Sequence, residues 1–503
     1  MALTQGISLV GLRGELVTIE VDVAHGLPGY SLLGLPDAAL SESRDRIRAA
    51  INNSELVWPN KKVTVSLSPA WLPKSGSGFD LPIAISLLSA SDQLQLSELE
   101  KTIFIGELSL EGKLKPIRGI LAMIIAAKQN GIARVIVPWD NFQEARLLSE
   151  IEVLAFHNLA ELIRWIKTGE RVEVPELLPF SETESVLDIA DVAGQSEAKE
   201  SIEIAAAGGH HILMMGPPGV GKTMLAERIP TILPPLREDE ALEVTSIHSI
   251  AGVLHQRGTL SRLPPFIAPH HTTTVAAMVG GGSNSIRPGS CSLAHHGILF
   301  IDEAPECATG IIDSLRQPLE AGAITITRAS GAVTFPARFL LVLAANPCPC
   351  GRYAGRGRAC ECTSLQIRRY LNRISGPLLD RIDLRVNVEA PTRVELSENT
   401  LRESSSTIRR RVVAARQRSE ARFFGRNFRL NSQIPAEDLR TLFRAETKGM
   451  QLLHRHLDES NLTARSFHKV LRLAWTLADL RERERPSLDE IERAISLRGM
   501  DER

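Results

Sequence analysis

Ile212-Leu213-Met214-Met215-Gly216-Pro217-Pro218-Gly219-Val220-Gly221-Lys222-Thr223 is the stretch from which the fold can be read. Four apolar residues make a buried-strand pattern, the next eight fit G-x-x-x-x-G-K-[ST], and Met224 to Arg228 continues as a helix. Strand, loop and helix stand in the order that phosphate binding needs. Glycines let backbone N–H groups curl around phosphates, Lys222 reaches the outer phosphates, and the Thr223 hydroxyl is a ligand for Mg2+. The start of the following helix adds positive potential. Gly216, Pro217, Pro218, Gly219, Val220, Gly221, Lys222 and Thr223 are therefore expected to hold ATP and Mg2+. A chance match in a glycine-rich turn is the bland reading, and the flanking strand and helix argue against it.

Two further strand tips extend this site. Ile298-Leu299-Phe300-Ile301 is a buried-strand pattern that ends in Asp302-Glu303. Asp302 is expected to hold the Mg2+ shell through water, and Glu303 to polarise the attacking water. Leu340 to Ala345 is another apolar strand with Asn346 at its tip. Asn346 is expected to orient the lytic water or the γ-phosphate; a turn asparagine is the other reading.

Outward from these motifs, residues 191–390 carry the strand and helix signals of a parallel α/β sheet and read as the nucleotide-binding core. Residues 171–190 hold prolines and acidic residues without a clear period, and read as a linker. Residues 1–170 read as mixed α/β: strand-like Val63–Leu67, helical Leu81–Leu88, strand-like Ile103–Ile105, helical Leu121–Asn130 and strand-like Val135–Pro138. Beyond Pro391 strand signals fade. Charged helical segments such as Ser405–Phe423 and Ser466–Leu480 make 391–503 a helical subdomain. Aromatics are only 4% of the chain, so burial must rest on aliphatic side chains. The net charge of -1 does not advertise nucleic acid, so any such signal must be local. No run of about 18 apolar residues exists, and Met1–Val10 lacks the flank and core of a signal peptide. A cytoplasmic protein with no membrane contact is expected.

The phosphate loop, the Asp302-Glu303 tip and the Ala344-Ala345-Asn346-Pro347 tip, in this order, resemble the AAA+ superfamily and, within it, the magnesium-chelatase-like clade. Leu378-Leu379-Asp380-Arg381-Ile382-Asp383 resembles the segment that carries a trans-acting arginine finger, which implies that role for Arg381. Thr463-Ala464-Arg465-Ser466 opens a lid helix and resembles the second sensor, which implies Arg465. Asp191-Val192-Ala193-Gly194-Gln195 resembles the adenine-side entry segment. An arginine offered by a neighbour stabilises charge on the transferring phosphoryl group, so the resemblance also implies a homo-oligomeric ring, typically hexameric. Gly322–Arg328 and Val333–Pro336 read as a β-hairpin. In related motors such a hairpin projects into the pore, which makes Arg328 a candidate DNA contact; a solvated charge is the alternative. Val279–Gly289 resembles the mobile insert loop of the clade.

Cys348, Cys350, Cys360 and Cys362 form C-x-C-x9-C-x-C around a loop with three glycines and three arginines. Such a loop is too polar to order itself, and four thiolates suit a structural Zn2+. Free thiols and disulfides are the other readings. Cys291 and Cys307 read as ordinary buried residues. The pairs His210-His211, His270-His271 and His295-His296 have no partner at metal-binding spacing and read as structural or loop residues. Nine arginines and two acids between Leu401 and Leu430, with Arg352, Arg356, Arg358, Arg368, Arg369 and Arg373 around the cysteine loop, suit a phosphate backbone. They equally suit solvated helix faces and ion pairs between subunits.

The first 170 residues resemble the Lon-protease-like α+β domain of ribosomal-S5 type. The resemblance rests on Leu72-Pro73-Lys74-Ser75-Gly76-Ser77-Gly78 and on Gly106–Gly112 through Pro116. The catalytic Ser and Lys positions of that family fall on Gly78 and Leu121, which implies a domain that keeps the fold without the peptidase. A Lon-like front, a chelatase-like AAA+ core and a helical lid together resemble the ComM/YifB family of competence-associated ATPases. That resemblance implies a hexameric motor that promotes branch migration on single-stranded or branched DNA in homologous recombination during natural transformation. A magnesium-chelatase subunit, a Lon-type peptidase and a nucleotide-gated scaffold without turnover are the competing readings.

Overall fold

The computed structural model describes residues 1–74, 76–96, 99–170, 187–254, 260–282, 286–328, 331–353, 360–393, 395, 402–459 and 462–498. Most of the expected linker, the Ser283–Ser285 part of the insert loop, the tip of the 322–336 hairpin, and Arg356 and Arg358 lie outside these residues.

Two sheets organise the chain. The N-terminal sheet has seven strands, ordered Gly29–Leu33, Lys62–Ser68, Arg13–Ala24, Ala2–Val10, Thr102–Phe104, Arg134–Pro138 and Glu152–Phe156. Ala2–Val10 and Arg13–Ala24 form an antiparallel hairpin whose register closes at Val10 opposite Arg13. The turn between them needs a residue with positive φ, which Gly11 supplies at 65°. Alternation decides the faces: Val63, Val65 and Leu67 are buried while Lys62, Thr64, Ser66 and Ser68 are not. Helices Asp80–Ala90 and Ile120–Gln129 carry apolar residues on nearly every side and are buried accordingly.

The second sheet is fully parallel. Its five strands lie in the order Phe266–Ile267, Ile298–Ile301, Leu340–Ala345, Ile212–Met215, Leu384–Asn387. Parallel strands buried on both faces read as continuous apolar runs, which is how these appear in the sequence. Helix Ser196–Gly208 leads into the sheet and stops at Gly209, whose φ of 73° permits the reversal. The C-terminal helices Ser405–Arg422, Thr447–Asp458, Ala464–Leu480 and Leu488–Ser496 pack on one face of the sheet. One hydrophobic cluster runs from Ile212, Val342 and Val386 into Val412, Leu453, Leu473 and Ile491. No helix among the described residues is long and apolar enough to cross a membrane.

Helix Glu238–Ala251 joins the two sheets' territories. Leu242 packs against the apolar cluster beneath the N-terminal sheet. The Ser249 hydroxyl accepts the Gly119 N–H at 2.9 Å and donates to Glu144. Glu144, buried, also accepts the Leu121 N–H at 3.1 Å. Thus Leu121, at the position of the expected lost lysine, is wholly buried behind this contact. Ser77 donates to Glu107, and Lys74 donates to the Pro69 carbonyl. No hydrogen bond joins a serine to a lysine around Ser77 among the described residues.

The strand that carries Asp302 starts from Gly297, where a Cβ would sit 2.1 Å from the Pro265 carbonyl oxygen. Gly297→Ala should therefore push strands Phe266–Ile267 and Ile298–Ile301 apart. A loss of about 1–3 kcal/mol, seen as a lower thermal midpoint, is expected.

Candidate nucleotide site

The strand order sets what meets what. Ile212–Met215 is flanked by Leu340–Ala345, so the phosphate loop and Asn346 leave the same edge of the sheet side by side. Ile298–Ile301 is the next strand over and delivers Asp302 and Glu303 to that edge. This is the carboxyl edge, where parallel sheets bind ligands.

Lys222 is buried, and its Nζ donates to the Gly216 carbonyl at 2.6 Å, the Pro217 carbonyl at 2.9 Å and Asn346 Oδ1 at 3.1 Å. Desolvation lowers its pKa from the usual lysine value, with Asp302 and Glu303 acting in the opposite sense. The Thr223 hydroxyl donates to Asp302 Oδ2 at 2.8 Å. Those two oxygens, beside a loop built for phosphates, fit a hard cation that takes oxygen ligands. Gly219 and Gly221 have φ of 80° and 97°, and a Cβ on Gly219 would meet nothing within 4 Å. Gln195 of the entry segment is left-handed (φ 57°) and donates its amide to the Val220 carbonyl.

Glu303 is exposed and held in a left-handed conformation, φ 49° and ψ 42°. Non-glycine residues pay strain there, about 1–3 kcal/mol, and persist only where neighbours impose it. Asp302 Oδ1 helps by accepting the Glu303 N–H at 2.9 Å. His271 Nδ1 lies 3.7 Å from Glu303 Oε2.

Arg381 and Arg465 form a second group at the other edge. Leu384 pairs with Ile212, and the Asp383 N–H donates to the His211 carbonyl, so residues 380–383 lie at the amino edge of the sheet. A strand of four residues spans about 13 Å, so Arg381 is separated from Gly216 by at least that depth. Arg381 pairs with Glu320, and Arg465 pairs with Asp380 at 2.8 Å. No hydrogen bond or ion pair joins this group to the phosphate-loop group among the described residues.

Three family models match: magnesium chelatase subunit ChlI over residues 188–396, subunit ChlI of magnesium chelatase over 19–141, and its C-terminal region over 402–498. YifB of Escherichia coli is 39% identical over 493 residues, spanning 98% of this chain and 96% of that protein. Competence protein ComM of Haemophilus influenzae is 38% identical over 507 residues, spanning 99% of this chain and 98% of that protein. The chain belongs to the YifB/ComM family. Its fold is the chelatase-type AAA+ core with a helical C-terminal region, preceded by a Lon-like unit. Lon protease of Porphyromonas gingivalis is 28% identical over 180 residues, 33% of this chain. The AAA+ family implies ATP and Mg2+ as ligands of the carboxyl-edge group.

The four cysteines of this family member come together just past Asn346. Cys348 Sγ is 3.3 Å from Cys350 and 3.6 Å from Cys360, Cys350 is 3.6 Å from Cys360, and all four sulfurs lie within 4.8 Å of one another. Four sulfurs around a zinc at 2.3 Å would be separated by about 3.8 Å, so the cluster fits a tetrahedral ion. The Arg352 backbone N–H and the neighbouring Cys348 bring the Cys350 thiol down to about 6. Cys291 and Cys307 are buried elsewhere.

The structure supplies partners for the histidine pairs and for the arginine-rich segment. Each histidine pair has a partner. Besides His271, His211 Nδ1 accepts the Leu341 N–H at 3.1 Å, and the Nε2 atoms of His295 and His296 lie 3.0 and 3.2 Å from Glu243 Oε2. His295 Nδ1 accepts the Arg338 N–H, so its proton sits on Nε2, directed at Glu243. That trio is a hydrogen-bonded knot and leaves His295 no lone pair for a metal. The arginine-rich segment is also engaged. Arg402, Arg409, Arg411, Arg416, Arg418, Arg422 and Arg426 all bind carbonyls or carboxylates of this chain. Linear charge density could not reveal those partners, because they lie up to 212 positions away or on other helices.

His271→Ala should cut turnover about 10-fold through a misoriented Glu303, with ATP affinity unchanged; steady-state kinetics and a separate binding titration check this. Cys360→Ser should lower zinc content in metal analysis of the purified protein, and equal zinc in both proteins would sink the cluster's assignment.

Proposed function

We propose that the chain is an ATP-driven ring motor on DNA, serving the competence named in the relative ComM. The observation that carries this reading is the separation of Arg381 and Arg465 from the Lys222 group by the depth of the sheet. An arginine so placed can act on phosphates only in a neighbour's pocket, and closure of such head-to-tail contacts gives a ring. A hexamer is the ring size the family resemblance implies.

In each pocket, Lys222 and the backbone N–H groups of 219–223 hold the phosphates. Thr223 and Asp302 would hold Mg2+, which would neutralise phosphate charge. Glu303 takes the proton of the attacking water, and Asn346 orients that water against the γ-phosphate. The neighbour's Arg381 and Arg465 meet charge that develops on the transferred group. Zn2+ on Cys348, Cys350, Cys360 and Cys362 would order the loop beside Asn346.

The DNA contact is assigned to two paired loops. Hairpin Ala323–Arg328 with Gly331–Pro336 lies against the short ladder Gly280–Gly281 with Arg287–Pro288. The Arg328 guanidinium reaches the neighbourhood of Gly281, and Arg287 and Arg328 are both exposed. These two cations on adjacent loops suit a phosphate backbone, in place of the engaged arginine helix. Branch migration in homologous recombination during natural transformation is the proposed use, in the cytoplasm. The chelatase family models favour a second reading, insertion of Mg2+ into a porphyrin with partner subunits.

Forked DNA should raise the ATPase rate several-fold, and ATP should drive displacement of a forked or four-way substrate. Lys222→Ala and Glu303→Gln should abolish both, and Arg328→Ala should weaken the DNA stimulation alone. Turnover indifferent to every DNA tested, together with porphyrin metallation, would replace the motor with the chelatase.

A further inference from the structure

The segment that carries Arg381 is gripped from behind by one buried carboxylate. Asp383, two residues on, is almost fully buried. One of its oxygens lies 3.2 Å from His210 Nδ1, and the other 3.1 Å from Lys469 Nζ. His210 stands at the root of the phosphate-loop strand, and its Nε2 lies 2.8 Å from the Thr476 hydroxyl. Lys469 also donates to the Ile382 carbonyl at 3.2 Å. Lys469 and Thr476 belong to helix Ala464–Leu480, whose first turn carries Arg465, the partner of Asp380. Helix 464–480 therefore holds the segment at Asp380, Ile382 and Asp383, while His210 holds it from the sheet.

A buried carboxylate needs cations and donors around it to persist. Burial alone would raise the Asp383 carboxyl, but Lys469 and His210 outweigh it and hold the group well below the usual carboxylate range. Apolar residues of similar size could fill such a space without the desolvation cost, so what the ionic knot adds is a fixed geometry.

We propose that Asp383 is a positioning residue for the trans arginine: it locks residues 380–383 to helix 464–480 and to His210, and so fixes where Arg381 meets the neighbouring protomer's nucleotide. This rests on the reading of Arg381 given above. A displacement of roughly 1 Å in such a group costs about 100-fold in rate, which sets the expected effect.

Subunit mixing with the full chain tests it. Asp383→Asn protomers alone should bind ATP with unchanged affinity and hydrolyse it about 100-fold more slowly. Mixed with excess Lys222→Ala protomers, which have no working pocket but an intact arginine segment, they should regain turnover. Arg381→Ala protomers are the control and should be rescued in the same way. Rescue of Arg381→Ala without rescue of Asp383→Asn would overturn the role of Asp383 and leave the trans arginine standing. No rescue of either would overturn both. Where thermal melting shows that Asp383→Asn does not fold, Asp383→Asn with Lys469→Gln removes both charges and enters the same mixture. Rescue of that folded double variant supports the proposal, and its absence overturns it.

Discussion

Strand Ile212–Met215 is hydrogen-bonded along both edges, to Leu340–Ala345 on one side and Leu384–Asn387 on the other. All three run the same way, and that shared direction orders the rest of the molecule. Whatever follows a strand emerges at one edge of the sheet, and whatever precedes a strand lies at the opposite edge. Lys222, Thr223, Asp302, Glu303 and Asn346 all follow strands. Arg381 and Asp383 precede one. A single parallel sheet thus sorts the polar groups into two populations before any side chain is considered.

Much of this was legible in the chain because parallel strands buried on both faces have no polar residues to blur them. Ile298–Ile301 and Leu340–Ala345 each run straight into a polar residue, and Ile212–Met215 runs into glycine and proline; that step marks the edge of the sheet. The N-terminal strands Ala2–Val10 and Glu152–Phe156 carry no such step. They are only half-buried and include Gln5, Gly6 and Glu152, so no continuous apolar run announces them.

The site's supporting residues were less legible for the same reason. Asn346 lies 124 positions from Lys222, and only the apolar run before it hints at its place. His271 has no such run: it sits in a loop after the two-residue strand Phe266–Ile267, and only that strand's pairing with Ile298–Ile301 brings it near Glu303. The arginines of Ser405–Arg422 show the converse. Their density along the helix is high, yet Glu203, Asp479 and the Ala206 carbonyl, from other helices, absorb them. Charge counted along a chain measures how many ions must be satisfied, and folding decides whether solvent, protein or another polymer satisfies them.

Glu144 also ties the two units together mechanically. It is buried, accepts the Leu121 N–H, and is joined through Ser249 to helix Glu238–Ala251 of the neighbouring unit. A carboxylate held from both sides passes displacement on, because neither partner can move away without leaving a buried polar group unpaired. A shift of helix Glu238–Ala251 would therefore be felt at the start of helix Ile120–Gln129 through one side chain.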